Sequence, residues 1–369
     1  MLRKALNLKK TIENIDGSFV LYGAGEMAKT MISYMPEYIK RKIKSIIVSD
    51  LINNPSEVCG IAVKKLDRNI DVNMPIMIAV SEKYRFEVIL SLKQIGFNSI
   101  ITTDIDSLIL LKVMSMMNKK TIDDLESRVL HIGEVNIEEL YYKCININSL
   151  LNDLDELYVF NTICFTWGGS EILDYALIQA LIKKYKLKNY LEIGTYIGES
   201  LCVAADVAEQ CYSITVPENH PAHMKKWCAA RHLQDYSNLL VDRDNMVQYL
   251  EDSYYFDYSK ITEKIDLYFV DGDHSYRGVF IDSIKIFEHI DTENTFVLWH
   301  DVRNGLGLNK EVIGAIHDAI GEKFEGFYTF DYSMCGLYVP PKYRDDFKLI
   351  SAGDEIGRYK IQLECIKDR

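Results

Sequence analysis

At 369 residues, with 48% apolar and 26% charged side chains, the chain is long enough for two domains with ample core and has an ordinary soluble composition. A formal net charge of -12 at pH 7 excludes a general nucleic-acid binder, which needs a clustered positive surface; the densest basic run, Lys40-Arg41-Lys42-Ile43-Lys44, reads as a solvated helix end. Neither a signal peptide nor a run of roughly 20 apolar residues appears, so no membrane partner is expected and the location is read as cytoplasmic, with the scattered cysteines as small core residues rather than disulfides or zinc ligands.

The first predicted element is a strand over 18–22, broken by the turn Gly23-Ala24-Gly25 and followed by a helix from Glu26 that Pro36 stops. Strands are predicted over 44–50, 74–80 and 99–102, with a helix over 83–95. Such alternation implies a parallel sheet with crossover connections, hence a Rossmann-like domain over 1–105. Gly23, Gly25 and Glu26 approximate a dinucleotide-binding turn, and Asp50 ends the next strand where a ribose-binding acid would stand. A bound nucleotide and a purely structural or dimerising module both fit this pattern. Residues 106–165 read as a folded connector, lacking the glycine and serine of a flexible linker, with a methionine-striped helix over 109–117.

A second domain is expected over 166–345, followed by a tail at 346–369. Ser170 caps a helix over 171–185. Strands begin at 190, 211, 238, 265 and 295, helices cover 199–209, 245–252, 279–289 and 310–321, and a hairpin joins 326–331 to 336–340. The fold class is therefore α/β, two Rossmann-like domains, the second an open sheet with one reversed edge strand. Two strand ends carry the chemistry: Glu192-Ile193-Gly194-Thr195-Tyr196-Ile197-Gly198, and Asp271-Gly272-Asp273-His274-Ser275-Tyr276. Ligands of such sheets collect beyond the carboxyl ends of the strands. Glycines there let backbone approach a ligand, and Glu192 can accept hydrogen bonds from it. His274 is the first choice as general base, because imidazole titrates near neutrality, with Asp273 or Asp301 to orient it. Asp271 and His300 suit substrate or metal, and Tyr276 and Arg277 suit an acceptor's hydroxyl or anionic groups. His220 and His223, one helical turn apart, read as surface histidines rather than zinc ligands.

The stretch from Tyr190 to Ser200 resembles motif I of class I S-adenosylmethionine-dependent methyltransferases. Val270-Asp-Gly-Asp-His-Ser-Tyr276 with Trp299-His300-Asp301 is similar to the small-molecule O-methyltransferases that include macrolide-sugar methyltransferases. The likeness spans about residues 165–342. It implies S-adenosylmethionine bound by Glu192, Gly194, Thr195 and Gly198, with Asp271 at the active-site edge. Thr215 stands where the ribose acid usually does, Glu218 substitutes for it if the turn is longer, and Asp244 is either the adenine-side acid or a helix cap. The reaction implied is methyl transfer to a hydroxyl of a sugar, nucleotide-sugar or related polar small molecule, with Trp167 beside the acceptor. Some relatives bind Mg²⁺ through an acid at the Asp271 position and two acids after the next strand. The set here, Asp271, His300 and Asp301, replaces one acid by imidazole, which weakens a magnesium site or favours another metal. The first domain resembles the Rossmann-like N-terminal domains of bacterial sugar-modifying enzymes, sharing the Gly-x-Gly turn and the stretch from Asn54 to Val63. The rival readings are an oxidoreductase or sensor binding nicotinamide or a nucleotide-sugar through that domain. Homo-oligomerisation is left open.

Overall fold

The computed structural model describes residues 1–67, 70–129, 135–153, 158–160, 170–217, 220, 243–304, 307–351 and 360. The chain forms two compact units, Met1–Ile132 and Gly133–Arg369. Trp167, Glu218, His223 and the strand expected from 238 lie outside the described residues.

The first unit runs α1 (Leu2–Glu13), β1 (Phe19–Tyr22), α2 (Glu26–Tyr34), α3 (Glu37–Lys40), β2 (Ile43–Val48), β3 (Glu57–Val58), β4 (Ile61–Lys65), β5 (Ile76–Ile78), α4 (Glu82–Ile95), β6 (Ile100–Ile101), α5 (Ile105–Met114) and α6 (Lys119–Val129). Its sheet has the order β3-β4-β2-β1-β5-β6, parallel except for the β3–β4 hairpin. The order reverses between β1 and β5, and the Gly23-Ala24-Gly25 turn follows β1 there. Part of the expected connector belongs to this unit, since α5 packs on α1 and α2 and buries Leu108, Ile109, Leu110, Leu111, Val113 and Met114. The methionine stripe is packing at Met114, whereas Met116 is exposed.

The second unit runs α7 (Ile137–Leu140), β7 (Cys144–Ile145), α8 (Ile147–Asn152), α9 (Ile172–Tyr185), β8 (Asn189–Ile193), α10 (Glu199–Ala205), β9 (Gln210–Thr215), β10 (Met246–Leu250), β11 (Leu267–Val270), α11 (Tyr276–His289), β12 (Phe296–Trp299), β13 (Arg303–Asn304), β14 (Gly307–Leu308), α12 (Lys310–Ile320), β15 (Phe327–Phe330) and β16 (Gly336–Tyr338). Among the described residues the main sheet has the order β10-β9-β8-β11-β12-β16-β15-β7. Only β16 opposes its neighbours. It is not the edge strand expected, because β15 covers it and β7 closes the sheet beyond. Nothing local announces β7, which is two residues long and pairs with a strand more than 180 residues away.

Two further expectations need correction. Residues 245–252 are not helical: Met246–Leu250 is β10, parallel to β9 along its whole length, in keeping with the β-favouring Val247 and Tyr249. The cap of α9 is Glu171 rather than Ser170, in a reciprocal box with Asp174. The cysteine reading holds at Cys144, Cys202, Cys211 and Cys335, which are buried, but Cys59 is exposed.

Strand alternation decides which face each site residue meets. Tyr190, Phe269, Phe296 and Leu298 share a core with Leu177, Leu181 and Leu201 of α9 and α10. Trp299 points to the other face, where its Nε1 donates to Ser283 of α11 at 2.9 Å. His300, in phase with Phe296 and Leu298, therefore turns toward α9.

Candidate active site

The site lies where the strand order reverses, between β8 and β11. β8 leaves its ladder through Gly194, whose φ is +89°. A Cβ on Gly194 would stand 2.1 Å from the Asp271 carbonyl oxygen and 2.6 Å from its carbon. Glycine is thus demanded by neighbouring backbone as well as by conformation, a reason different from the ligand approach expected. Thr195 is buried and its hydroxyl pairs with that of Ser213 on β9. Gly198 (φ +87°) opens α10, where Glu199 accepts a hydrogen bond from Tyr175 of α9 at 2.8 Å.

Glu192 is fully buried. Its Oε2 accepts from Tyr190 at 3.1 Å and from Ser200 at 2.7 Å, while Oε1 has no partner. Burial pushes its carboxyl up to about 8, with the two hydroxyls opposing and the Asp271 charge adding. An orphaned acid oxygen beside the glycine turn is the kind of group a bound ligand would satisfy.

Thr215 ends β9 level with Leu250 of β10, at the ligand side of the sheet. Asp244 does not belong there. It precedes β10, and six residues at about 3.3 Å each put it roughly 20 Å from the strand's carboxyl end. The acids at that end are Glu251 and Asp252, which the helical reading of this stretch concealed. Glu251 pairs with Lys260; Asp252 accepts from the Tyr254 amide at 3.0 Å and lies 3.7 Å from His220.

The acid and imidazole cluster occupies the ends of β11 and β12. His274 Nδ1 lies 2.5 Å from Asp301 Oδ2 and 3.9 Å from Asp271 Oδ1. The hydrogen bond to Asp301 raises the His274 pKa; burial opposes this, and the charges of Asp301 and Asp271 reinforce it. Asp301 sits at φ +56°. Burial would raise its pKa, but the bond to His274 and the neighbouring charge of His300 hold it far below the usual carboxylate range. His300 is buried, with Nδ1 3.3 Å from Asp271 and 3.4 Å from Asp301. These are ion-pair distances without hydrogen-bond alignment. Its Nε2 faces Asp174 Oδ2 at 3.4 Å. Burial works against a charge on His300, yet Asp271, Asp174 and Asp301 together carry its pKa well above the ordinary value.

Donor atoms of Asp271, His274 and Asp301 lie within 4.8 Å of one another. That set differs from the expected one: His274 joins the two acids, and His300 stands behind them. Asp273 is outside the cluster. It accepts from Tyr254 at 2.8 Å and from the Ser275 amide at 3.0 Å, and meets Arg277 at 3.4 Å. The Arg277 guanidinium carbon lies 5.8 Å from the centre of the Tyr254 ring, and the Tyr276 hydroxyl donates to Asp318 of α12. The Asp273-His274 loop is pinned at Gly278, where a Cβ would approach the Asp273 carbonyl to 2.2 Å.

In the first unit, Gly23 (φ +111°) packs against the Ala79 carbonyl and Gly25 caps α2. Glu26 is paired with Lys29 at 2.6 Å. The Asp50 carboxylate is exposed and takes the Ile52 amide at 2.7 Å, closing its own turn.

Residues 191–302 match the family model of a methyltransferase domain. No curated protein sequence matches the chain. Among solved structures, a Staphylococcus aureus protein assigned as a caffeoyl-CoA O-methyltransferase is similar at 15% identity and TM-score 0.31, covering 60% of this chain and 98% of that one. An O-methyltransferase assigned in Klebsiella pneumoniae gives 12% and 0.29, covering 58% and 93%. A Podospora anserina methyltransferase bound to SAH gives 16% and 0.27, covering 50% and 71%. Likenesses this distant bear on no residue and no substrate.

Proposed function

We propose that this chain, an enzyme whose second unit carries a methyltransferase domain, moves a methyl group from S-adenosylmethionine to a hydroxyl oxygen of a polar, sugar-like small molecule. The observation that carries the reading is the contact of Gly194 with the Asp271 backbone. It sets the glycine turn directly against the acid and imidazole cluster, so a donor held by one would face an acceptor at the other. Glu192, Gly194, Thr195 and Gly198 would line the methionine side, with Thr215 and Asp252 toward the nucleoside.

Bound there, S-adenosylmethionine would supply its sulfonium methyl group to the acceptor oxygen by in-line displacement, with S-adenosylhomocysteine as the leaving group. Alignment supplies most of the acceleration. The acceptor's proton passes to His274. Its Nδ1 is committed to Asp301, so Nε2 receives the proton, and the imidazole must start neutral. The rim formed by Tyr254, Asp273 and Arg277 suits a hydroxyl-rich acceptor.

A second reading of the cluster rests on the mutual distances of Asp271, His274 and Asp301. Two carboxylates and an imidazole fit a divalent transition ion better than Mg²⁺. Bound there, such an ion would polarise the acceptor hydroxyl. The oxidoreductase and sensor alternatives are not favoured, since the matched domain lies in the other unit.

Calorimetry with S-adenosylmethionine, S-adenosylhomocysteine and NAD tests the proposal. Micromolar binding of the first two is expected, and no binding of S-adenosylmethionine at saturating concentration would sink it. Turnover is read as methyl transfer to catechol and to UDP-glucose. His274→Ala should slow it at least tenfold with cofactor affinity nearly unchanged; a loss confined to cofactor binding would reassign His274.

A further inference from the structure

His300 is held from behind by a residue that no sequence pattern singled out. Asp174, in the first turn of α9, is fully buried, and beside its local capping bond its contacts tie two separate segments, the end of β12 and the turn after β15, to the site. Its Oδ2 accepts from the Glu171 amide at 2.9 Å and faces His300 Nε2 at 3.4 Å. Its Oδ1 accepts from the Ser333 hydroxyl at 2.5 Å and the Met334 amide at 3.2 Å, with Cys335 Sγ at 3.6 Å. Ser333 to Cys335 form the turn between β15 and β16. An isolated buried carboxylate is costly. Here hydrogen bonds and a facing imidazole compensate it, and four donors fix its orientation.

We propose that Asp174, locked by Ser333 of the terminal hairpin, is a positioning residue that sets the His300 ring and, through it, the Asp271 and Asp301 carboxylates that orient His274. The inference rests on the methyl-transfer reading for its consequence but not for its geometry. Asp174 has no exposed surface from which to touch a ligand. The ring it faces has the oxygens of both site acids within 3.4 Å of its other nitrogen. Removing Asp174 leaves the imidazole free to rotate about its side-chain bond, and the spacing of the two carboxylates loosens with it.

The test is a double-mutant cycle with an activity-independent signal beside it. Asp174→Asn keeps the shape and the bonds from Ser333 and Met334 while removing the charge facing His300, together with the Oδ2 acceptor of the Glu171 amide. Its kcat with catechol or UDP-glucose should fall about tenfold or more, with the dissociation constant for S-adenosylmethionine within twofold. The double variant with His300→Asn should be no slower than His300→Asn alone, since residues acting through one another are non-additive. The His300 ring proton resonance, identified by its loss in His300→Asn, should move in Asp174→Asn. Ser333→Ala, the milder variant should Asp174→Asn fail to fold, should shift the same resonance and lower kcat about threefold. Multiplicative losses in the cycle, or an unmoved resonance in a folded variant, overturn the proposal. If wild-type protein methylates neither acceptor, the resonance alone decides, and the failure belongs to the functional reading.

Discussion

Glu192→Gln probes the buried acid at the glycine turn. Glu192 keeps its proton in the folded chain up to about pH 8, while the unfolded chain releases it near the ordinary value of 4.5. The native state therefore binds more protons than the unfolded state between those values. The stability this confers is fully present below about pH 4.5 and is lost as pH rises to about 8. That window spans about 3.5 pH units, which at about 1.4 kcal/mol per unit sets a ceiling of about 5 kcal/mol. Glutamine preserves the shape, accepts the same Tyr190 and Ser200 hydroxyls, and leaves one unpaired group where Oε1 stood. At pH 5 the variant should be within about 1 kcal/mol of wild type; at pH 8 it should be more stable by several kcal/mol within that ceiling. Urea unfolding followed by tryptophan fluorescence is the assay, because Trp299 is buried in the same sheet as Glu192. A stability difference that is the same at pH 5 and pH 8 would refute the reasoning.

Gly194→Ala forces a Cβ to 2.1 Å from the Asp271 carbonyl oxygen at a φ of +89° and should cost at least about 3 kcal/mol, lowering Tm by roughly 6 °C or more; a change under 2 °C contradicts the packing described. Asp301→Asn removes the bond that raises the His274 pKa, so the rising limb of kcat against pH, set by the neutral imidazole, should move to lower pH, and an unmoved limb would detach His274 from proton transfer. His274→Ala should abolish that limb. Exhaustive chelation separates the two readings of the triad: turnover lost, and restored by Mn²⁺ better than Mg²⁺, assigns it to a metal, while turnover held within twofold assigns it to proton transfer alone.

Much of the frame was legible because its signals are local. A buried strand, a glycine turn and a helix follow one another within a dozen residues, so β8, Gly194 and α10 were found, as were β11 and β12 with the acids at their ends. The stretch at 245–252 misled because Asp244 reads as a helix cap and no alternation marks a short strand bordered by acids. That error carried Asp244 to the wrong end of the sheet and hid Asp252. The role of Gly194 was half legible: sequence announces a positive φ, but not the carbonyl of Asp271 lying against it.

The amino-acid sequence by itself determined the alternating α/β order of both units, the glycine turn, and the strand ends that deliver Asp271, His274 and Asp301, since each depends on neighbours a few positions away. Only tertiary structure decided that Asp174 and Ser333 stand behind His300, and that β7 closes the sheet beyond the hairpin. Those partners lie more than 120 residues apart in the chain, and packing rather than any local pattern brings them together.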